Sequence, residues 1–133
     1  MPIVLKLHRF TSLRSEDGDA KQWDIVPLMD KNKEKFEITI GGGADCVLHD
    51  FRLIAGSGKV PAVLILADRD MGESYADSEK VTFTYFRLMT RKDSIAGFPP
   101  YSFERARVKI SNVHYCDVTE AFQKELGIGT YAQ

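Results

Sequence analysis

The stretch VPAVLILADRDMGESYADSEKVTFTYFRL, residues 60–88, decides the fold class that this sequence predicts. Its first part, VPAVLILA, is an apolar run of about the length of one strand. Near its end, Val81, Phe83 and Tyr85 recur at every second position, which is the spacing of side chains on one face of a strand. The polar residues between the two segments suit a turn. The stretch therefore predicts two strands joined by an acidic turn.

The same alternation recurs along the chain and predicts a mainly β protein. Glycine- and proline-rich joints separate these segments, as expected where strands end. Because parallel strands usually need a helical crossover, the strand and turn rhythm predicts an antiparallel β-sandwich. The other alternating sets are Ile3, Leu5 and Leu7; Phe36, Ile38 and Ile40; Phe51 and Leu53; and Ala106, Val108 and Ile110.

One short C-terminal helix is predicted after Asp117. Asp117 can cap the helix, and Glu120 follows three residues later, where a capping box places an acidic residue. Val118, Ala121, Phe122 and Leu126 are spaced to lie on one helical face. Gly127 then suits the left-handed position that ends a helix.

Length and composition predict a single soluble domain spanning residues 1–133. The chain is 44% hydrophobic and 28% charged, which is typical of a folded globule. Its formal net charge of -1 indicates no nucleic-acid partner, since phosphate binding usually needs a basic excess or a basic face. The longest apolar run is far shorter than the roughly 20 residues of a membrane-spanning helix. We therefore expect no transmembrane segment, and the pattern leaves self-association into a homo-oligomer open.

Cys46 and Cys116 stand apart, without the spacing of a zinc site. Their isolation favours buried free thiols in a reducing cytoplasm, and a single disulfide between them is the alternative. We therefore expect a cytoplasmic protein.

Acidic side chains in two turns indicate a cation site. Asp68 and Asp70 stand two residues apart at the end of the predicted strand, and Asp77 returns from the far side of the turn. Calcium takes about six to eight oxygen ligands, so one turn rarely suffices. Asp17 and Asp24 flank an earlier turn that can supply the rest. These carboxylates are the predicted calcium ligands.

The stretch LHRFTSLRSEDGDAKQWDIVPLMDKNKEKFEITI, followed later by VLILADRD and Asp77, resembles the C2 domain, a β-sandwich family that binds calcium and phospholipid. The resemblance covers roughly residues 3–88. It implies that Asp17 and Asp24 supply ligands from the first loop, and that Asp68, Asp70 and Asp77 supply those of the later loop. It also implies that the lysine-rich strand meets anionic lipid headgroups. The residues of that strand are Lys31, Lys33 and Lys35.

The function predicted from the sequence is that of a non-enzymatic binding module. In the first version, calcium held by the acidic loops mediates binding to an anionic membrane or protein surface. The alternative is a calcium-independent module for protein or carbohydrate, such as a lectin-like, inhibitor or assembly subunit. An enzyme with Cys116 as nucleophile, beside His114 and Asp50, is the third hypothesis.

Overall fold

A computed structural model describes residues 2–3, 6–10, 21–31, 33–42, 45–74, 76–90 and 100–129, with residues 2–3, 6–10 and 21–25 described by their backbone. The protein is mainly β with one helix, as predicted. The strands are β1 (Pro2–Ile3), β2 (Lys6–Phe10), β3 (Lys21–Ile25), β4 (Leu28–Asp30), β5 (Lys33–Lys35), β6 (Ile38–Thr39), β7 (His49–Ile54), β8 (Val63–Arg69), β9 (Val81–Thr90) and β10 (Tyr101–Ile110), and the helix is α1 (Val118–Leu126).

Six of these strands form one mixed sheet in the order β5-β4-β10-β9-β8-β7. Two further pairs, β1–β6 and β2–β3, are antiparallel. Within the sheet β4 and β10 run parallel, with Phe103 opposite Leu28, so the prediction of an antiparallel fold is wrong at this pairing. The reason is that the chain between β4 and β10 contains strands of the same sheet, and these provide the long crossover that a helix usually supplies.

The quoted stretch forms the β8–β9 hairpin at the centre of the fold. Its register places Val63 opposite Arg87 and Arg69 opposite Val81. In its strands, Ile65, Ala67, Val81 and Phe83 face α1, whereas Leu64 and Phe86 face the other side of the sheet. The alternation read from the sequence is therefore confirmed.

Helix α1 covers one face of the sheet. The Asp117 carboxylate accepts a hydrogen bond from the Thr119 N–H at 2.7 Å, and Gly127 adopts a φ of 69° at the C-terminal end. The predicted helix, its cap and its end are confirmed. The buried cluster beneath it consists of Ile65, Ala67, Val81, Phe83, Tyr115, Val118, Ala121 and Phe122.

A second buried cluster lies on the opposite face of the sheet. Ile38 of β6 belongs to it, which places the β5–β6 segment over this face. The cluster consists of Val26, Leu28, Ile38, Leu64, Phe86 and Phe103.

The two cysteines form a disulfide, with their Cα atoms 5.7 Å apart. The prediction of free thiols is therefore wrong, and so is the Cys116 nucleophile hypothesis, because that sulfur is bonded to Cys46. Sequence spacing did not reveal the pair because tertiary contacts bring it together. The Val47 N–H donates to the Asp117 carboxylate at 3.2 Å, and the Val118 N–H donates to the Val47 carbonyl at 3.0 Å. The disulfide thus lies where the start of α1 meets the segment before β7.

Near the C-terminal end of α1, the Glu125 carboxylate links the helix to the segment after β10. Glu125 accepts hydrogen bonds from the Tyr115 hydroxyl at 2.7 Å and from the Asn112 N–H at 2.8 Å. Burial, and then the hydrogen bond to Glu125, raise the pKa of Tyr115 to about 12. The Asn112 backbone hydrogen bond, and then that of Tyr115, lower the pKa of Glu125. The contact joins α1 to the connection that leaves β10.

Among the residues that the structure describes, no helix has both the length and the apolar character needed to cross a membrane.

Candidate functional site

The predicted first-loop ligands lie largely beyond the side chains that the structure describes. Asp17 is outside the described residues. Asp24 lies in β3, where its backbone is opposite Leu7 of β2. The calcium ligands predicted in this loop therefore stay a prediction.

The three predicted ligands of the later loop have separate environments. Asp68 lies in β8, and its Oδ1 is 2.7 Å from His49 Nδ1. Asp70 is exposed, and its backbone N–H donates to the Lys80 carbonyl at 3.0 Å. Asp77 accepts the N–H groups of Glu73 and Ser74, each at 2.9 Å. Asp77 therefore closes a turn with its own carboxylate, and Asp68 orients an imidazole.

Within the described ranges, no three histidine, cysteine, aspartate or glutamate side chains are placed to hold one metal ion.

The side chain of Arg69, the last residue of β8, donates hydrogen bonds to backbone carbonyls of the acidic loop, residues 70–77. Its side chain is 2% exposed, and its Nε donates to the Asp70 carbonyl at 3.1 Å. Nη2 donates to the Met71 and Ser74 carbonyls, each at 3.1 Å, and Nη1 donates to the Asp77 carbonyl. Backbone carbonyls are among the oxygens that calcium uses. In this loop those oxygens already surround an internal cation.

The sequence carries a signal for Arg69 that the prediction missed. Ile65, Ala67 and Arg69 occupy alternate positions of β8, so the arginine continues the buried face of an apolar strand. A charged side chain at such a position is rarely buried without partners. Asp68 and Asp70, its neighbours in sequence, are more exposed, whereas Arg69 is buried.

The predicted lipid-binding lysines lie on and beside an edge strand of the sheet. Lys31 has a positive φ of 50° in the turn between β4 and β5. Lys33 and Lys35 are exposed and share one side of β5, because residues two apart in a strand point the same way. Lys35 also lines a cleft. The contact of these three lysines with anionic lipid stays a prediction.

That cleft is a cavity of about 300 Å³ on the face of the sheet opposite α1. Its volume is at the lower end of the range for small-molecule sites. Residues of β4, of the β5–β6 segment and of the strands β7, β8 and β9 line it. The lining residues are Leu28, Asp30, Lys35, Glu37, Ile38, Thr39, His49, Leu66, Asp68, Thr84 and Phe86.

Two side-chain pairs lie at the rim of the cleft: His49 with Asp68, and Arg105 with Asp30. A carboxylate oxygen accepts hydrogen bonds, so His49 Nδ1–H donates to Asp68 Oδ1, and Nε2 is the other ring nitrogen. Asp30 pairs with Arg105 at 3.0 Å. The structure therefore brings the predicted residue Asp68 together with His49 and Lys35, which are far apart in sequence.

No protein-family model and no curated protein matches the sequence. Among solved structures, the fold is similar to that in the crystal structure of CarG, with a TM-score of 0.61 and 24% sequence identity. The similarity covers 92% of this chain and 71% of the CarG chain. At this identity the likeness concerns the fold alone. The resemblance to the C2 domain stays a prediction.

Proposed function

We propose that this protein is a non-enzymatic binding module that acts without calcium. Of the two versions that the sequence predicts, this one is supported by the environment of Arg69. The guanidinium group occupies the centre of the acidic loop and bonds the carbonyls of Asp70, Met71, Ser74 and Asp77. A calcium ion at that position would have to displace a buried cation and its hydrogen bonds.

The proposal also includes a second layer of strands. The buried contact of Ile38 with Leu28, Leu64 and Phe86 supports packing of the β1–β6 pair over the face of the sheet opposite α1. Such a layer has the arrangement of a sandwich, with α1 on the outside of the larger sheet.

The non-enzymatic character is part of the same proposal. It is supported by the disulfide, because the bond to Cys46 occupies the sulfur of Cys116, the nucleophile of the enzyme hypothesis. The cytoplasmic location predicted from free thiols loses its support with the disulfide.

Thermal unfolding in the presence of calcium tests the proposal. A ligand that binds only the folded state raises the melting temperature as its concentration rises. We expect the same melting temperature in excess chelator and in millimolar calcium. The measurement should be made at constant ionic strength, because screening alone changes surface electrostatics.

An Asp70→Asn variant is the matched control, because the Asp70 side chain is exposed and the loop uses its backbone. A saturable rise in melting temperature with calcium, lost in Asp70→Asn, would overturn the proposal. It would support instead the calcium-dependent module with ligands Asp17, Asp24, Asp68, Asp70 and Asp77.

A further inference from the structure

We infer that the cleft between β4, the β5–β6 segment and the sheet binds a neutral, hydroxyl-rich small molecule of the size of a monosaccharide. The inference rests on the proposed function as a calcium-independent binding module and names its site and ligand class. It is carried by the unpartnered polar groups of the cleft, its apolar floor and its charge balance.

The rim of the cleft presents polar side chains without a partner among the described residues. Among the described residues, no group forms a hydrogen bond or ion pair with the side chains of Lys35, Glu37, Thr39 and Thr84. They offer an ammonium donor, a carboxylate acceptor and two hydroxyls that can do either. A ligand with several hydroxyl groups requires such a mixture of donors and acceptors.

His49 and Asp68 add an oriented pair to this rim. The hydrogen bond of 2.7 Å between them fixes the imidazole and leaves Nε2 and the second carboxylate oxygen for other partners. A binding site gains affinity when its polar groups are held in place before the ligand arrives. Both residues are partly buried, so the pair is held by the sheet as well as by its own hydrogen bond.

The floor of the cleft is apolar. Leu28, Ile38 and Phe86 are buried, and Leu66 is half-buried beside them. An apolar surface below a polar rim suits a sugar ring, which has C–H groups on its faces and hydroxyls around its edge.

Charges of both signs line the described part of the cleft, which suits a ligand that carries no charge of its own. Arg105 pairs with Asp30 at 3.0 Å. Glu37 and Asp68 then stand with Lys35, so carboxylates and an ammonium group share the same rim. An anion would meet the carboxylates, and a cation would meet Lys35. A neutral molecule with hydroxyl groups can accept a hydrogen bond from Lys35 and donate hydrogen bonds to the carboxylates.

Amide NMR on the isotope-labelled full chain tests this inference. D-glucose, D-galactose, D-mannose and N-acetyl-D-glucosamine are each titrated into the millimolar range in buffer with chelator. We expect saturable shift changes with at least one sugar, centred on residues 37–39, His49, Asp68 and Thr84. No saturable change with any of the sugars, or changes centred elsewhere, would overturn the inference.

Two threonines of β9 provide a matched pair of variants. Thr84→Val removes a cleft hydroxyl while keeping a β-branched side chain, and we expect at least about a tenfold loss of affinity. Thr82→Val makes the same change on the same face, two residues away and outside the cleft lining, and should leave affinity unchanged. Equal affinity in wild type and both variants would contradict the assigned site.

Ionic probes and calcium separate the remaining outcomes. Tighter binding of sodium phosphate or tetramethylammonium chloride in the cleft would overturn the neutral ligand class. Sugar binding that occurs only with added calcium would overturn the proposed function and leave the cleft as the site. Absence of sugar binding with an unchanged melting temperature in calcium would overturn the cleft inference and leave the proposed function standing.

Discussion

The acidic loop, residues 70–77, and the cleft both contain carboxylates beside β8, but they use their polar groups in opposite ways. In the loop, Arg69 bonds the carbonyls and Asp77 bonds the N–H groups of Glu73 and Ser74. In the cleft, Glu37 and Thr84 face a cavity without a recorded partner among the described residues. Polar groups that satisfy one another stabilise a fold, whereas polar groups held apart around a cavity are available to a ligand.

The largest effect is expected from Arg69→Met, which removes the hydrogen bonds from the guanidinium group to the carbonyls of the acidic loop. The variant leaves several carbonyls without their donor, and we expect the free energy of unfolding to fall by about 3–5 kcal/mol. Chemical denaturation measures the change. Arg69→Lys, which keeps the charge but has fewer donors, should lie between Met and wild type. A Met variant within about 1 kcal/mol of wild type would show that Arg69 does not organise the loop.

Loss of the Cys46–Cys116 disulfide should have the next largest effect. The disulfide joins residues separated by 70 positions, and its removal is expected to cost about 2–4 kcal/mol. Denaturation with and without reductant measures this cost. The double variant Cys46→Ser, Cys116→Ser is the control, since reductant should not change it. An unchanged wild-type midpoint in reductant would count against the disulfide as a stabilising link.

A smaller loss of stability is expected at alkaline pH, because burial, and then the hydrogen bond to Glu125, favour the protonated form of Tyr115 in the folded state. The pKa of Tyr115 is raised in the folded state from 10.0 to about 12, so its contribution is complete below pH 10. The contribution is lost as the pH rises from about 10 to about 12. Denaturation across this range should show the loss in wild type and less of it in Tyr115→Phe. Identical pH profiles would refute the assignment.

The smallest effect is expected from Thr84→Val, because the Thr84 hydroxyl has no hydrogen-bond partner in the part of the chain that the structure describes. We expect the free energy of unfolding to change by less than about 0.5 kcal/mol. Asp77→Ala is the contrasting variant in the loop and should lose about 1 kcal/mol, since its carboxylate accepts two backbone hydrogen bonds. Chemical denaturation measures the free energy of unfolding of both variants. A larger loss in Thr84→Val than in Asp77→Ala would reverse it.

Local patterns predicted the β8–β9 hairpin and helix α1 correctly. The alternation of Val81, Phe83 and Tyr85 and the cap and end of α1 depend on neighbours in sequence, and the structure confirms both. The parallel pairing of β4 with β10 and the disulfide depend on contacts between distant segments, which the sequence patterns did not reveal.

The candidate site shows the same division. The cluster of Asp68, Asp70 and Asp77 was visible in the sequence, but proximity along the chain did not show that Asp68 turns to His49 while Asp77 turns to its own loop. The cleft combines Lys35, His49 and Thr84, whose separation in sequence concealed any motif.

Alternation, capping and turn chemistry act over a few residues, so they were enough to indicate the β8–β9 hairpin and helix α1. Tertiary structure alone decided which polar groups are satisfied and which remain open. The reason is that hydrogen-bond satisfaction depends on partners in space. Arg69 donates to the loop carbonyls from within, whereas the side chains of Glu37 and Thr84 at the cleft have no partner among the described residues.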